Sequence, residues 1–384
     1  MFTVSAFQKA YSGKRVLVLG HTGFKGAWLS LWLAQMGADL AGFSKDMPSE
    51  PCLFKVLNLK KKMRHDTGDI RNHNQLAKVF RAFKPEIVFH LAAQPIVRTA
   101  YREPKLTFDT NSGGTVNVLE CIRQSPTVKA AVIITSDKCY ENYGINRGYR
   151  EDDRLGGEDP YSASKACAEI AFSAYFRSYF FQKLSPMIAT ARAGNVIGGG
   201  DWASDRIVPD CVRAWSSGKV AMIRSPHSTR PWQHVLEPVS GYLWLGACLL
   251  QKKSGLTGSS FNFGPRHHAS RDVKSLVDLF LSFWGAGSWN YIPSNGKKEA
   301  RLLKLSPRKT AETLFWKTAL SFADTVKFTA LWYQKYYSKK IDMTEFSLGQ
   351  IESYIQKARN QELPWAGGVS YDRWRSAQTV ENYS

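Results

Sequence analysis

Short apolar runs alternate with helical patterns along the first half of the chain. Runs of branched and other apolar residues occur at 15–19, 38–43, 86–91, 131–136 and 187–192. Segments with helical spacing of apolar residues lie between them. Repeated strand–helix units of this kind are typical of a parallel sheet. The sequence therefore predicts an α/β fold, with a Rossmann-type doubly wound parallel sheet through about residue 190.

The pattern changes in the C-terminal part. An apolar helix is predicted at 235–251 and a last strand at 260–264. From about residue 265, helical patterns and aromatic residues dominate and glycine turns cease, which predicts a smaller, mostly helical domain. From Pro364 the sequence shows no clear element, so we expect a loosely ordered tail at 364–384.

A glycine-rich turn joins the first predicted strand to its helix. Gly20, Gly23 and Gly26 are spaced Gly-x-x-Gly-x-x-Gly, one residue wider at the first gap than the usual dinucleotide fingerprint. Glycines let the backbone approach a pyrophosphate, and the helix N-terminus offers free N–H groups to it. An ordinary glycine turn is the alternative, and the flanking strand and helix favour a dinucleotide site.

Polar and small residues follow the next strands. Asp46 is placed to hold the ribose hydroxyls of NAD, whereas Ser44 and Lys45 would suit the 2′-phosphate of NADP. Asp69 is expected to meet an adenine amino group. Asn111 is either a buried hydrogen-bonding residue or a simple helix cap.

The stretch from 131 to 165 carries the strongest candidate chemistry. Its strand ends on Ser136-Asp137-Lys138, at the edge of the sheet where α/β proteins bind ligands. A helix then begins after Asp159 and brings Tyr161 and Lys165, four residues apart, onto one face. An ammonium beside a phenol favours the phenolate, so we expect a lowered tyrosine pKa and a general base.

Charge adds one feature. The 52 basic and 32 acidic residues give a net charge of +20, which suits either a nucleic acid or a solvated face with a site for a diphosphate. No interleaved aromatic–basic pattern supports a nucleic acid, so we favour the diphosphate. Arg206, Arg224 and Arg230, after a glycine-rich loop at 194–200, are candidates to grip it.

Other classes are disfavoured. The six scattered cysteines predict reduced thiols rather than disulfides or a zinc site, and the histidines show no ligand spacing, so no metal is expected. No apolar run reaches the length of a membrane span, and the first residues do not resemble a secretory signal. A cytoplasmic enzyme without a membrane partner is the expectation.

These motifs together resemble the extended short-chain dehydrogenase/reductase superfamily, and closely its CDP-glucose 4,6-dehydratases, over about residues 13–316. The triplet Ser136-Asp137-Lys138 carries most of the discrimination, since similar enzymes acting on dTDP-glucose or GDP-mannose have glutamate in place of Lys138. One departure concerns 297–306, where a more acidic, histidine-bearing stretch is expected. That region belongs to the nucleotide-binding lid in similar enzymes.

The resemblance implies a cofactor, a substrate and their sites. The cofactor is NAD, and its implied contacts are Gly20, Thr22, Gly23, Phe24, Lys25, Gly26, Asp46, Asp69, Ile70, Leu91, Ala92, Ala93, Gln94 and Asn111. The nucleotide sugar, with CDP-glucose favoured, would meet Arg98, Asn195, Arg206 and Arg230. The implied division is an NAD-binding domain (1–190 with about 235–264) and a nucleotide-sugar-binding domain (about 191–234 with 265–363).

The resemblance also implies roles in a dehydration. Tyr161 would take the proton of the sugar 4-hydroxyl, with Ser136 bonded to the same hydroxyl and Lys165 holding the cofactor ribose. Asp137 would be the acid and Lys138 the base for loss of water. A homodimer through helices 111–124 and 161–181 is expected. A 4-epimerase, or a 4,6-dehydratase acting on another nucleotide sugar, is the alternative.

Overall fold

A computed structural model describes residues 8–145, 147–182, 186–265, 270–293 and 303–367. The strands within these ranges are β1 Arg15–Leu19, β2 Asp39–Ser44, β3 Arg64–Thr67, β4 Ile87–His90, β5 Ala130–Ile134, β6 Met187–Ala193, β7 Val196–Ile197, β8 Ala221–Ile223, β9 Thr229–Arg230, β10 Gln233–His234, β11 Ser260–Phe263, β12 Arg271–Asp272 and β13 Trp289–Tyr291.

The helices of the described ranges lie between and after these strands. They are α1 Gln8–Tyr11, α2 Phe24–Gln35, α3 Leu53–Val56, α4 His73–Phe83, α5 Val97–Arg102, α6 Pro104–Phe108, α7 Gly114–Gln124, α8 Pro160–Tyr175, α9 Ile207–Ser216, α10 Leu236–Leu250, α11 Val273–Trp284, α12 Arg308–Leu314, α13 Phe322–Ser338 and α14 Met343–Arg359. Two π-helical turns, Asp109–Gly113 and Phe176–Phe180, directly precede α7 and follow α8.

Seven strands form the central parallel sheet. Their order is β11-β6-β5-β4-β1-β2-β3, and every neighbouring pair is parallel. Strands are added in opposite directions on the two sides of β1, which makes the β1/β4 boundary the switch point of a doubly wound sheet. The predicted Rossmann-type fold is confirmed.

Successive side chains of β1 point to opposite faces of the sheet and pack into two different hydrophobic cores. Val16 and Val18 belong to the larger core, whereas Leu17 and Leu19 belong to the smaller one. Strands such as β4 and β5 are buried along their whole length, as expected where helices cover both faces. These continuous apolar runs are the reason why the strands could be predicted.

The larger core extends from the sheet into the C-terminal helices. Trp365 is fully buried and stacks on Tyr354 of α14, with its ring 6.3 Å from that of Trp32 in α2. The prediction of a loose tail beginning at Pro364 is therefore wrong for its first residues, because the indole of Trp365 packs in the core. The rest of that segment, 368–384, lies outside the described residues. The division into two ligand-binding domains stays a prediction.

Two elements differ from the sequence expectation. Strand β3 was not predicted, because this edge strand, Arg64–Thr67, is polar and only partly covered. The helix expected to start at Asn111 instead begins at Pro104 and runs through a π-helical turn. Asn111 thus lies inside a helical segment rather than at its start.

Candidate active site

Helix α8 presents the tyrosine and lysine of the site. It begins at Pro160, and the Asp159 carboxylate accepts hydrogen bonds from the N–H groups of Tyr161 and Ser162, at 2.9 and 3.0 Å. This capping fixes the first turn, where Tyr161 lies. Lys165 lies one turn further along and is buried. Both the predicted cap and the shared helix face are present.

The triplet after β5 begins a 3₁₀ turn, Asp137–Cys139, whose N-cap is Ser136. Ser136 Oγ donates to Asp137 Oδ1 at 2.9 Å and accepts from the N–H of Lys138 at 3.2 Å. Ser136 and Asp137 are each 6% exposed, while Lys138 is half-buried. The hydroxyl and the carboxyl are thus held together below the surface, at the carboxyl edge of the sheet.

Burial makes the Asp137 carboxyl a weaker acid than usual. Removal from water raises its pKa, against the lowering effect of the Lys138 charge, the Ser136 hydrogen bond and the Lys25 charge. A protonated carboxyl is therefore available at higher pH than on an exposed aspartate. This is the state that a general acid requires.

Tyr161 differs from the sequence expectation. Its pKa is raised to about 12, chiefly because dense protein keeps the hydroxyl from water, although the residue as a whole is half-buried. The Ser136 hydrogen bond and the Arg206 charge act in the opposite direction. The expected lowering by Lys165 is absent from this balance. Burial lowers the pKa of Lys165 itself to about 8. The Lys165 ammonium therefore loses its proton more readily than the helix spacing alone suggested.

The glycine-rich turn has the shape of a dinucleotide loop. Gly20 has a φ of 88°, and a Cβ there would lie 2.6 Å from the N atom of Ala92. A Cβ on Gly26 would lie 2.1 Å from Gly20 O. No side chain among the described residues caps the first turn of α2 at Gly23, so its N–H groups are available to a phosphate. These features fit the pyrophosphate of NAD.

The predicted adenosine contacts lie around the ends of β2 and β3. Asp46 is exposed, and its carbonyl accepts a 2.7 Å hydrogen bond from Thr22 Oγ1. Asp69 is half-buried and forms a forked ion pair with Arg71. Ile70 is buried, and its side chain packs against Gly114 at the start of α7. Asp46 thus has room for a ribose, whereas an adenine would share Asp69 with an arginine.

The segment after β4 is fixed by Asn111. Its side-chain oxygen accepts from the N–H of Gln94 at 2.8 Å, and its amide donates to Gln94 O at 3.1 Å and to Ser164 Oγ at 2.9 Å. Of the two sequence interpretations, the buried hydrogen-bonding role is the one observed. Leu91, Ala92 and Ala93 are half-buried along the same segment.

Of the four predicted substrate residues, two arginines form ion pairs, and the other two residues lie in or next to short strands. Arg206 forms a 2.7 Å ion pair with Asp201, and its charge acts on Tyr161. Arg98 instead pairs with Asp205 at 2.5 Å near the surface. Arg230 lies in β9, and Asn195 accepts from the N–H of Gln233 through its carbonyl. Residues 297–302 of the predicted lid lie outside the described residues.

Sequence reasoning missed three features of this centre. Lys25 was assigned to the cofactor alone, yet its ammonium acts on Asp137, and burial lowers its pKa to about 8. Asp201, which holds Arg206, had no recognisable motif. Glu169 continues the four-residue spacing of Tyr161 and Lys165, and that spacing was the available signal.

The described ranges contain neither a metal-binding cluster nor a helix that could span a membrane. No group of three histidine, cysteine, aspartate or glutamate side chains there is arranged to hold a metal ion. No helix in the same ranges is both long and apolar enough to cross a bilayer.

A dinucleotide loop, a tyrosine–lysine helix and an acidic residue at a strand end define a dinucleotide-dependent enzyme. The chain belongs to the NAD dependent epimerase/dehydratase family, whose model matches residues 16–264. The predicted superfamily and its dependence on NAD are thereby confirmed.

Several known proteins are similar to this chain. CDP-glucose 4,6-dehydratase of Salmonella typhimurium is 44% identical over 350 residues, which cover 90% of this chain and 97% of that enzyme. The structure of dTDP-glucose 4,6-dehydratase from Bacillus anthracis in complex with NAD has a TM-score of 0.70 at 22% identity, covering 84% of this chain and 97% of the other. UDP-glucose 4-epimerase from Thermotoga maritima with UDP-glucose gives a TM-score of 0.72 at 22% identity, covering 84% and 99%.

Proposed function

We propose that this chain is a CDP-glucose 4,6-dehydratase, which converts CDP-D-glucose to CDP-4-keto-6-deoxy-D-glucose for deoxysugar biosynthesis. The observation that carries the proposal is the triplet of Ser136, Asp137 and Lys138 beside Tyr161. An epimerase needs no second acid–base pair, whereas loss of water does. The 44% identity to the Salmonella enzyme supports the same substrate.

Tyr161 and Ser136 serve the sugar 4-hydroxyl in this proposal. Tyr161 takes the hydroxyl proton, and Ser136 hydrogen-bonds the same oxygen. NAD, when bound, would accept the hydride from carbon 4 and, once reduced, donate it to carbon 6. Against its burial, the Ser136 hydrogen bond and the charge of Arg206 lower the pKa of Tyr161.

Asp137 and Lys138 serve the elimination. A ketone at carbon 4 acidifies the proton on carbon 5, which Lys138 removes as the base; Lys138, whose ammonium exchanges with solvent, returns a proton to carbon 5 when carbon 6 is reduced. Asp137 protonates the hydroxyl that leaves carbon 6, and its buried position favours the protonated form that this step needs. The Ser136 hydrogen bond keeps the Asp137 carboxyl at the strand end.

Charged groups around the cleft support a nucleoside diphosphate sugar. Arg206 and Arg230 are proposed to bind the diphosphate, Arg98 to line the outer cleft, and Asn195 to contact the sugar. The net charge of +20 favours an anionic ligand of this kind. Lys25 lies within electrostatic reach of Asp137 and Arg206, where it would add to the same positive field.

A homodimer in the cytoplasm is part of the proposal. Ile170 is 56% exposed on α8 and Phe181 is 69% exposed just beyond it, and such apolar exposure on one helix favours a partner helix. All six cysteines are free thiols, which suits a reducing compartment. Ile170→Arg should convert the dimer to a monomer in light scattering, whereas Tyr291→Arg, at a similarly exposed site on β13, should not. A wild-type monomer at micromolar concentration would contradict the dimer.

A panel of nucleotide sugars tests the proposed activity. Purified protein is incubated with CDP-, dTDP-, UDP- and GDP-linked hexoses in the presence of NAD. The product of CDP-glucose should absorb near-ultraviolet light in alkali, as a 4-keto-6-deoxyhexose does. A product formed only from another nucleotide sugar would show that the substrate is that sugar and not CDP-glucose. A 4-epimer as product would show that the protein is an epimerase and not a dehydratase.

A further inference from the structure

A buried ion pair lies behind the active site, between Glu169 of α8 and Arg192 of β6. Arg192 Nη2 lies 2.8 Å from Glu169 Oε2, and its Nε lies 2.9 Å from Oε1. The two side chains are 2% and 3% exposed. Buried charges are costly unless they are fully bonded, and the proposed reaction does not use either group.

The Glu169 carboxylate also receives three hydroxyl groups from the sheet. Thr135 donates to Oε1, and Thr190 and Ser260 donate to Oε2 at 2.9 and 3.1 Å. Thr135 is the residue directly before Ser136. One carboxylate therefore joins the strand end with the catalytic triplet to the helix that carries Tyr161.

The same carboxylate lies on the helix face of Tyr161 and Lys165, since the three residues are spaced four apart. The negative charge of Glu169 raises the pKa of Lys165, and Cys139 acts in the same direction, while burial lowers it. Lys25 of α2 and His90 of β4 also interact with Lys165. Of these groups, Glu169 is the carboxylate.

We propose that Glu169 is a positioning residue for this reaction, on the basis of the function proposed above. Through Thr135 it fixes the strand end that carries Ser136, Asp137 and Lys138 relative to Tyr161. Through its charge it keeps Lys165 in the ammonium form that holds the cofactor ribose. Arg192 and the three hydroxyl groups hold the carboxylate itself in place.

The charge effect has a direct test that needs no substrate. Lys165 is titrated by NMR in NAD-bound protein that contains [6-¹³C]lysine, with Lys165→Met used only for assignment. Glu169→Gln should lower the pKa of Lys165 by roughly one unit or more, because Arg192 loses its counter-charge at the same time. Glu169→Asp keeps the charge and should restore most of the shift. An unchanged Lys165 titration in a folded Glu169→Gln variant overturns the electrostatic part.

The positioning effect is tested with two matched variants. Thr135→Val and Thr190→Val each remove one hydroxyl bonded to Glu169, but only Thr135 adjoins the catalytic triplet. Thr135→Val should lower kcat by roughly tenfold, the worth of one good hydrogen bond, with little change in KM. Thr190→Val should lower kcat several-fold less. Equal losses in the two variants overturn the positioning part.

Failures of the two proposals are distinguishable. If wild-type protein acts on another nucleotide sugar, the kinetics of the Thr135→Val and Thr190→Val variants are compared with that substrate. That comparison then decides the positioning role of Glu169. If wild-type protein acts on none, the substrate proposal fails, and the Lys165 titration still decides the role of Glu169. If Glu169→Gln does not fold, as judged by thermal denaturation, the threonine pair decides.

Discussion

Asp137→Asn should separate oxidation at carbon 4 from the elimination of water. The substitution keeps an oxygen that can accept the 2.9 Å hydrogen bond from Ser136 Oγ, so the turn after β5 should keep its shape. It removes the proton that the buried carboxyl carries for the leaving hydroxyl. General-acid help is worth roughly a hundredfold or more, which corresponds to about 2.7 kcal/mol of activation free energy. Oxidation at carbon 4 does not use this proton and should continue.

Rapid mixing of Asp137→Asn with CDP-glucose should therefore show accumulation of enzyme-bound NADH, followed by its near-ultraviolet absorbance. The trapped sugar should be a 4-keto hexose that still carries its 6-hydroxyl, identified by mass spectrometry. In wild type, elimination should fall as the pH rises through the raised pKa of Asp137, since the acid form is lost. The rate of elimination by the asparagine variant should not show this fall with rising pH.

Asp210→Asn is a matched control, because burial also raises the pKa of that carboxyl and Arg213 pairs with it. Asp210 lies one turn beyond Arg206 on α9, so any effect should be on substrate binding, and NADH should not accumulate as it does with Asp137→Asn. Two results would refute the reasoning for Asp137. One is an equal loss of oxidation and elimination, and the other is wild-type product formation by Asp137→Asn.

Three further predictions concern the base, the cofactor and the loop. Lys138→Met should suppress exchange of the carbon 5 proton with deuterated solvent while NADH still forms, and wild-type exchange would leave Lys138 an electrostatic role only. NAD should support turnover better than NADP at matched concentration, because Asp46 repels a 2′-phosphate, and activity with NADP alone would show this to be wrong. Gly26→Ala should lose bound NAD on desalting, because its Cβ would lie 2.1 Å from Gly20 O. Gly349→Ala, which meets nothing within 4 Å, should retain it.

The sheet was predictable because burial on both faces leaves an unmistakable apolar run. Strands such as Ile87–His90 and Ala130–Ile134 are buried at every position, so hydrophobicity alone indicates them. Arg64–Thr67 is an edge strand with polar side chains, and its pairing with β2 is decided by backbone hydrogen bonds that no side-chain pattern records. The burial of Trp365 was not predicted for a related reason, since a single aromatic residue in a polar segment does not indicate that it packs in a core.

The candidate site was predictable where one element fixes the geometry. Tyr161 and Lys165 lie on a capped helix, so their spacing is enough to place them together. The pKa of Tyr161 depends on how much protein surrounds its hydroxyl, which follows from the assembled fold. The same holds for Lys25, whose charge acts on Asp137 from a different element. Local spacing therefore identified the helix chemistry, while the electrostatic balance required the tertiary structure.

The central claim is an internal transfer of hydrogen from carbon 4 to carbon 6, and one labelled substrate tests it directly. CDP-glucose that carries deuterium at carbon 4 is converted in ordinary water, and the product is analysed by NMR and mass spectrometry. The account predicts deuterium at carbon 6 of the 4-keto-6-deoxy product and solvent hydrogen at carbon 5. Deuterium that remains at carbon 4 of an epimerised sugar, or that is lost to solvent, would contradict it.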